Sequence, residues 1–542
     1  MTRTQRSTAR RNQSKTAART TLAMRPTAAT YRLIAIAATV SLAAGATAGA
    51  GSAYIIRHSS RTTTNSIIMN GNSGMGMGGA DTMSYDYTGS YTATLTADST
   101  EQTSDGETIA STTADQNTAL ATNGGTLTIT NGKLTKSGDS DNADNNNFYG
   151  TNSIALVVGD DSKATISGST LSASSSGSNG VFATDSGTAL VYNTTISTTS
   201  DNSRALDATY SGTILAGKVT ADTQGDHSAT VATDRGGGNV SVVDSTLSTA
   251  GSGSPLLYST GDVQVSGVTG TATGAQIAGM EGYNTILIND STLESTNTDR
   301  TGSDPIANGV IIYQSTSGDA ESSTGEHATF QAKDSTLKSA IESGSMFYFT
   351  NTTADVVLSN TTLDFDTSKA TLINASGNDA NNWGSAGSNG ATVTFTGRNQ
   401  TLEGDVTADT ISSVDLYLLD GTTWTGAASI TENSAASDSS TSDAPITVNV
   451  DSSSTWVVTE DTTISALNVA SGGRVVDENG DTVTIVANGT TVVTGDSDVT
   501  VTVNGAYSTT VNAGSDTQLA DETIDRSEFD SQFDTSTSWT MA

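Results

Sequence analysis

The chain has 542 residues, no cysteine, four prolines and a formal net charge of −34. The lack of cysteine excludes disulfide bonds and thiol catalysis. Residues 1–61 contain 10 basic and no acidic residues, whereas the remainder contains 13 basic and 57 acidic ones. Residues 62–542 would therefore repel the phosphates of nucleic acids, and we expect no nucleic-acid partner.

The N-terminal part has the layout of an export signal. Residues 1–32 form a basic n-region, and residues 33–56 are uncharged and largely apolar. Small residues at Ala46, Ala48 and Ala50 offer sites for a signal peptidase, which favours a cleaved signal. The alternative is a retained membrane anchor, because 24 uncharged residues can span a bilayer. Both interpretations predict a secreted or cell-surface protein that contacts the membrane only through residues 33–56.

A Gly/Met-rich linker follows at residues 57–84, and a repeat begins after it. Pieces such as "DSTLS" return along the chain, each with an apolar residue between Ser and Thr. When the obvious polar insertions are left out, successive anchors are separated by a number of residues in the low to mid twenties. The predicted anchors are Leu134, Leu171, Ile196, Val219, Leu247, Val268, Leu293, Leu337, Leu363 and Leu402.

Each repeat holds about three short stretches in which apolar and polar residues alternate, which is typical of strands. Helical periodicity is absent from these repeats. A unit of this size with three strands predicts one coil of a solenoid, in which the leucines point inward and the preceding threonines point outward. We therefore expect an all-β fold over residues 85–515: a single-stranded, right-handed parallel β-helix with inserted loops.

The last residues, 516–542, are acidic and aperiodic. This composition predicts a tail, of which at most a part folds back over the last coil.

Two Thr-Trp pairs near the C-terminus, Thr423-Trp424 and Thr455-Trp456, precede alternating apolar residues and the pair Gly472-Gly473. This pattern resembles the passenger domains of autotransporters and other secreted bacterial β-helix proteins of the adhesin-like kind. The resemblance implies an adhesin-like protein, not an enzyme, that binds extracellular glycan or protein ligands. No segment resembling a membrane barrel follows, so self-transport is not implied.

The alternative function is that of a polysaccharide-active lyase or hydrolase on a pectate-lyase-like β-helix. Enzymes of this kind use clustered carboxylates as acid and base, joined by a basic residue. Neighbouring coils could bring Asp185, Asp207 and Asp234 together, with Arg235 beside them. The simpler interpretation is that these aspartates cap turns and that the arginine pairs with them.

The inserted loops carry the aromatic residues that stand out from the uniform Ser and Thr. Phe148 and Tyr149 end one insertion, and Trp383 lies in another. We expect these loops to bind the ligand, because aromatic rings stack on sugars and loops concentrate recognition residues. The alternative is that the rings plug the sides of the coils. The first insertion, "GDSDNADNNNFYG", could wrap Ca²⁺ but lacks the spacing of an EF-hand, so we expect no metal or other cofactor.

Overall fold

The computed structural model describes residues 84–542 except 141, 317–319, 321–326, 381–382 and 438. The predicted basic region, signal or anchor, and nearly all of the linker lie outside these residues. In the described part the chain winds as a parallel β-helix, as predicted, and each coil adds one strand to each of three sheets. No helix in this part of the chain is long and apolar enough to cross a membrane.

The strands are numbered β1–β46 in chain order. Sheet A contains β1 (Ala93–Asp98), β4 (Asn117–Thr122), β7 (Ala155–Val158), β10 (Val181–Thr184), β13 (Leu206–Ala208), β16 (Val231–Thr233), β19 (Leu257–Ser259), β22 (Ala278–Glu281), β25 (Asn308–Tyr313), β28 (Ser345–Thr350), β31 (Thr371–Ala375), β34 (Val406–Asp409) and β37 (Ala428–Thr431).

Sheet B contains β2 (Glu101–Asp105), β5 (Thr126–Thr130), β8 (Lys163–Ser167), β11 (Thr188–Tyr192), β14 (Gly212–Gly217), β17 (Gly238–Val243), β20 (Asp262–Ser266), β23 (Thr285–Asn289), β26 (Ala328–Lys333), β29 (Thr352–Ser359), β32 (Ala391–Arg398), β35 (Ser413–Leu419), β38 (Ile446–Val450), β41 (Ala466–Val469) and β46 (Tyr507–Ser508).

Sheet C contains β3 (Thr108–Ser111), β6 (Lys133–Lys136), β9 (Thr170–Ala173), β12 (Thr195–Thr198), β15 (Thr220–Thr223), β18 (Thr246–Thr249), β21 (Thr269–Ala272), β24 (Thr292–Ser295), β27 (Thr336–Ser339) and β30 (Thr362–Asp364). The third wall then continues as a separate sheet D, formed by β33 (Thr401–Glu403), β36 (Thr423–Thr425), β39 (Thr455–Val457) and β42 (Arg474–Val476).

A small mixed sheet closes the C-terminal end of the solenoid. Sheet E contains β40 (Thr462–Ile464), β45 (Thr500–Val503), β43 (Thr484–Ala487) and β44 (Thr490–Val493). Its β43 and β44 pair antiparallel, unlike the coils below them. The described helices are short: α1 (Ala143–Tyr149), α2 (Ser527–Phe533) and a 3₁₀ turn at Ser515–Thr517.

Most of the predicted leucine anchors stack in one inward column of sheet C, but two are wrong. Ile196 and Leu247 both align with Ala221, and Leu247 also aligns with Gly270. Val219 and Val268, the predicted anchors, lie two residues earlier in their coils. Both valines are buried in the core, but the residues of their coils that belong to the column, Ala221 and Gly270, are small and did not look like anchors. The threonines that precede the column consequently form an unbroken register: Thr170, Thr195, Thr220, Thr246, Thr269, Thr292, Thr336 and Thr362.

A tight turn joins sheet B to sheet C in each coil, and its first residue is left-handed. Asparagine and aspartate tolerate this conformation better than other side chains, and glycine adopts it freely. Gly106, Gly168 and Gly267 occupy it in three coils, and Lys218 is the exception in another. Elsewhere the position, with φ between 44° and 53°, is taken by Asn131, Asn193, Asp244, Asp290, Asp334, Asn360 and Asn399. These recurring Asn and Asp residues are therefore fixed by backbone geometry.

The C-terminal strap, residues 516–542, differs from the predicted tail because it runs back along the outer face of sheet B. At the start of the strap, Arg398 Nε donates to Thr517 O at 2.7 Å. Further along, the backbone N–H of Ile524 donates to Gln264 Oε1 at 2.8 Å. Glu528 pairs with Lys163, which is 365 residues earlier in the chain. The strap therefore crosses many coils and reaches the N-terminal third of the solenoid.

Apolar and buried polar contacts hold this strap. Phe529 is fully buried against Leu190 and Leu215, two outward-pointing residues of sheet B. Arg526 lies 4.4 Å above the Phe529 ring and donates to Ser241 O at 2.9 Å. The guanidinium has few charged neighbours, so burial lowers the pKa of Arg526 to about 10. The strap thus covers a row of sheet B that would otherwise be exposed apolar surface.

Candidate functional site

The predicted carboxylates Asp207 and Asp234 lie on the outer face of sheet A. Leu206 and Ala208 of β13 point into the core, so Asp207 between them points outward. Asp207 aligns with Ala232 of the next coil, which places Asp234 two residues further along the same outer face. The two carboxylates are therefore diagonal neighbours on adjacent coils.

One guanidinium joins them, but it belongs to Arg204, not to the predicted Arg235. Arg204 Nη1 lies 3.3 Å from Asp207 Oδ2, and its Nη2 lies 2.9 Å from Asp234 Oδ2. Arg235 instead lies 3.7 Å above the ring of Phe148. Asp185 does not join the pair; it lies in the left-handed turn after β10, where Asp160 is a charged neighbour.

Burial governs the electrostatics of this ion-pair cluster. Asp207 is 0 % exposed, and Arg204 and Asp234 are 8 % and 6 % exposed. Desolvation raises the pKa of Asp207 to about 6, although Arg204 opposes the shift. Burial alone would lower the pKa of Arg204, but the two aspartates outweigh it and raise that pKa. Asp207 Oδ1 has no hydrogen-bond partner among the described residues, so this carboxylate is incompletely satisfied.

The predicted aromatic residues of the first insertion pack down on the same face. The insertion forms α1, whose first turn is capped by the Asn142 side chain accepting from the Asn145 N–H at 3.0 Å. Tyr149 stacks between Tyr87 and Tyr210, with ring centroids 4.9 and 5.6 Å away. Both faces of the Tyr149 ring are thus covered by other rings of the chain.

Trp383 of the second insertion is also packed inward. It is 5 % exposed and stacks on Tyr313 at a centroid distance of 4.0 Å. Tyr313 in turn donates to Glu281 Oε2 at 3.1 Å, and Tyr258 donates to the same oxygen at 3.0 Å. Burial raises the pKa of both tyrosines, which keeps them protonated as donors. In this arrangement Trp383 covers the coil and leaves little ring surface for a sugar.

The first insertion is a possible Ca²⁺ loop by its sequence, although no metal is expected there. In the described part of the chain, no group of three or more His, Cys, Asp or Glu side chains could hold a metal ion. Asp141 of that loop lies outside the described residues.

The outer face of sheet C is different, because none of the described residues forms a segment that covers its threonine row. The row faces solvent from Thr170 to Thr362, and only Thr336 is half-buried. Sheet A is covered by residues 84–91, α1 and the Trp383 loop, and sheet B is covered by the strap. Sheet C is therefore the long wall that the described residues leave uncovered. Sequence reasoning identified six of these eight threonines as outward but missed Thr220 and Thr269, which follow the two wrong anchors. It could not foresee that the other two walls are covered.

Comparison with known proteins adds no assignment: no protein-family model matches the chain, and no curated protein matches its sequence.

Proposed function

We propose that this protein is a secreted or surface-displayed, adhesin-like binding protein whose ligand is an extracellular glycan or protein. The observation that carries the proposal is the open wall of sheet C. Eight threonines stand in register there on consecutive coils, on a scaffold whose other two walls are covered by its own chain. A long, rigid and uncovered surface is suited to binding an extended ligand.

The chemistry of the wall favours a long polymer with repeated hydroxyl groups. Parallel strands place the threonines about 4.8 Å apart from coil to coil. Each contributes one hydroxyl and one methyl group, so an extended glycan could make the same weak contact many times. The acidic surface of residues 62–542 would repel anionic polymers, which favours neutral or cationic ones.

The ion-pair cluster supports binding over the alternative of a polysaccharide-active enzyme. A general acid or base must reach the scissile bond of its substrate. Asp207 and Asp234 are instead buried and turned toward Arg204. Their contacts fit a role in joining two adjacent coils under the covering loops.

A polysaccharide pull-down with the full chain tests the proposal. Neutral, cationic and anionic polymers are compared, and the wild type is compared with the double variant Thr220→Glu/Thr246→Glu. The control, Thr490→Glu/Thr491→Glu, adds the same charge to exposed threonines of β44 in sheet E. We expect loss of binding to neutral polymers in the first variant alone. Equal binding by all three proteins would contradict the use of sheet C, and product release that is lost in Asp234→Asn would favour the enzyme.

A further inference from the structure

The third wall has a break that no element of the described chain fills. Sheet C ends at β30, and sheet D begins at β33 in the next coil. Adjacent coils otherwise pair through backbone hydrogen bonds along each strand. At the break, the described hydrogen bonds between the two coils include one from Asn360 N–H to Arg398 O at 3.3 Å. Beside it, Gln400 Oε1 accepts from the Thr361 N–H at 2.8 Å.

The break coincides with a change in the inward column. Below it the column ends in Leu337 and Leu363, and above it the column passes through Leu402 to Trp424 and Trp456. The two indoles stack with centroids 4.8 Å apart and planes 10° from parallel. Indoles are much wider than the aliphatic side chains below them. The new sheet of the third wall begins with Leu402, one coil before the first of these two indoles.

A pocket of about 290 Å³ opens at this break. Its apolar lining is Leu363 and Phe365, both half-buried, and its rim includes Asn360, Thr401 and Glu403. The edges of β30 and β33 add backbone N–H and C=O groups that lack a strand partner across the break. An aromatic floor is thus combined with a rim of hydrogen-bonding groups.

We propose that this pocket binds one pyranose ring, and that it prefers an amino sugar or a neutral sugar to a uronic acid. This inference rests on the proposed function and assigns a sugar subsite to the open wall. The C–H face of a pyranose would pack on Phe365, while its hydroxyl groups would bond the rim and the open strand edges. Glu403 disfavours a carboxylated ring and attracts an ammonium group. The volume lies at the lower end of small-molecule sites, which fits one ring.

Monosaccharide titrations of the full chain test the subsite, with glucosamine, glucose and glucuronic acid as probes and saturation-transfer NMR as the readout. Thr401→Phe fills the pocket from an exposed strand position and should weaken glucosamine binding at least tenfold. The matched control is Thr490→Phe, which makes the same change at an exposed strand position of sheet E, outside the threonine wall, and should leave that binding unchanged. Glu403→Gln should abolish the preference for glucosamine over glucose.

The outcomes separate this inference from the proposed function. Unchanged glucosamine binding in Thr401→Phe, or binding of no monosaccharide, would overturn the subsite. If polysaccharide binding survives in that case, the proposed function stands without it. Conversely, monosaccharide binding that responds to Thr401→Phe, together with no binding of any polymer, would support the pocket and overturn the proposed wall.

Discussion

Removal of one phenyl ring from the C-terminal strap should release it. Phe529 is 0 % exposed and packs on Leu190 and Leu215. Truncation of a buried phenylalanine to alanine costs about 3–5 kcal/mol. Every 1.4 kcal/mol changes an equilibrium about tenfold, so Phe529→Ala should raise the population of the open strap at least about 100-fold.

Trypsin reports this opening, because Arg526 is a cleavage site that is only 1 % exposed in the closed strap. When opening is fast, the cleavage rate follows the open population. Mass spectrometry of the released peptide 527–542 should therefore show cleavage about 100-fold faster in Phe529→Ala than in the wild type. The control is Phe182→Ala, an equally buried ring on the covered face of sheet A, which should leave Arg526 protected. Equal cleavage rates in Phe529→Ala and the wild type would refute the argument.

Three further outcomes follow from the core, the turns and the ion-pair cluster. Trp456→Leu loses the stacked indole and the hydrogen bond from Nε1 to Gly426 O, so thermal or urea unfolding should show about 3 kcal/mol lower stability. Asn193→Ala places alanine at φ 49° and should cost about 1 kcal/mol, whereas Asn193→Gly should cost less. Because the pKa of Asp207 is raised to about 6, folded protein binds this proton more tightly than unfolded protein, so ionisation of Asp207 lowers stability as pH rises from 4 to 6. Asp207→Asn should remove that part of the pH dependence. Urea unfolding of both proteins at several pH values measures it, and an equal change of stability with pH in both would contradict the shift.

The sequence predicted the solenoid because its signal is local and repeated. Leu171, Ile196 and Leu247 each lie between hydroxyl residues, and the structure stacks all three in one column. The prediction of the anchors was wrong by two residues in the coils where the residue of the column is small, Ala221 and Gly270. Periodicity therefore reveals a coil only when its inward residue is distinctly apolar.

The ion-pair cluster and the strap were harder to predict, for a different physical reason. Asp207 and Asp234 were identified, but the shared Arg204 was missed because its contacts join neighbouring coils. The sequence did hold a signal for Arg204, because it is a charged residue at a position where the flanking coils have the uncharged Asn179 and Ala229. The strap has no repeat of its own, and its contacts connect residues hundreds of positions apart, so no local pattern indicates them.

The path of the strap also sets an order of assembly. Coils can stack one after another as the chain lengthens, because each contacts mainly its neighbours. The outward residues Leu190 and Leu215 pack under Phe529, so they nevertheless stay uncovered until the strap has been synthesised. A variant truncated before residue 516 would expose these leucines on a folded wall and should aggregate. Synthesis of residues 516–542 is thus needed to bury the outer leucines of sheet B.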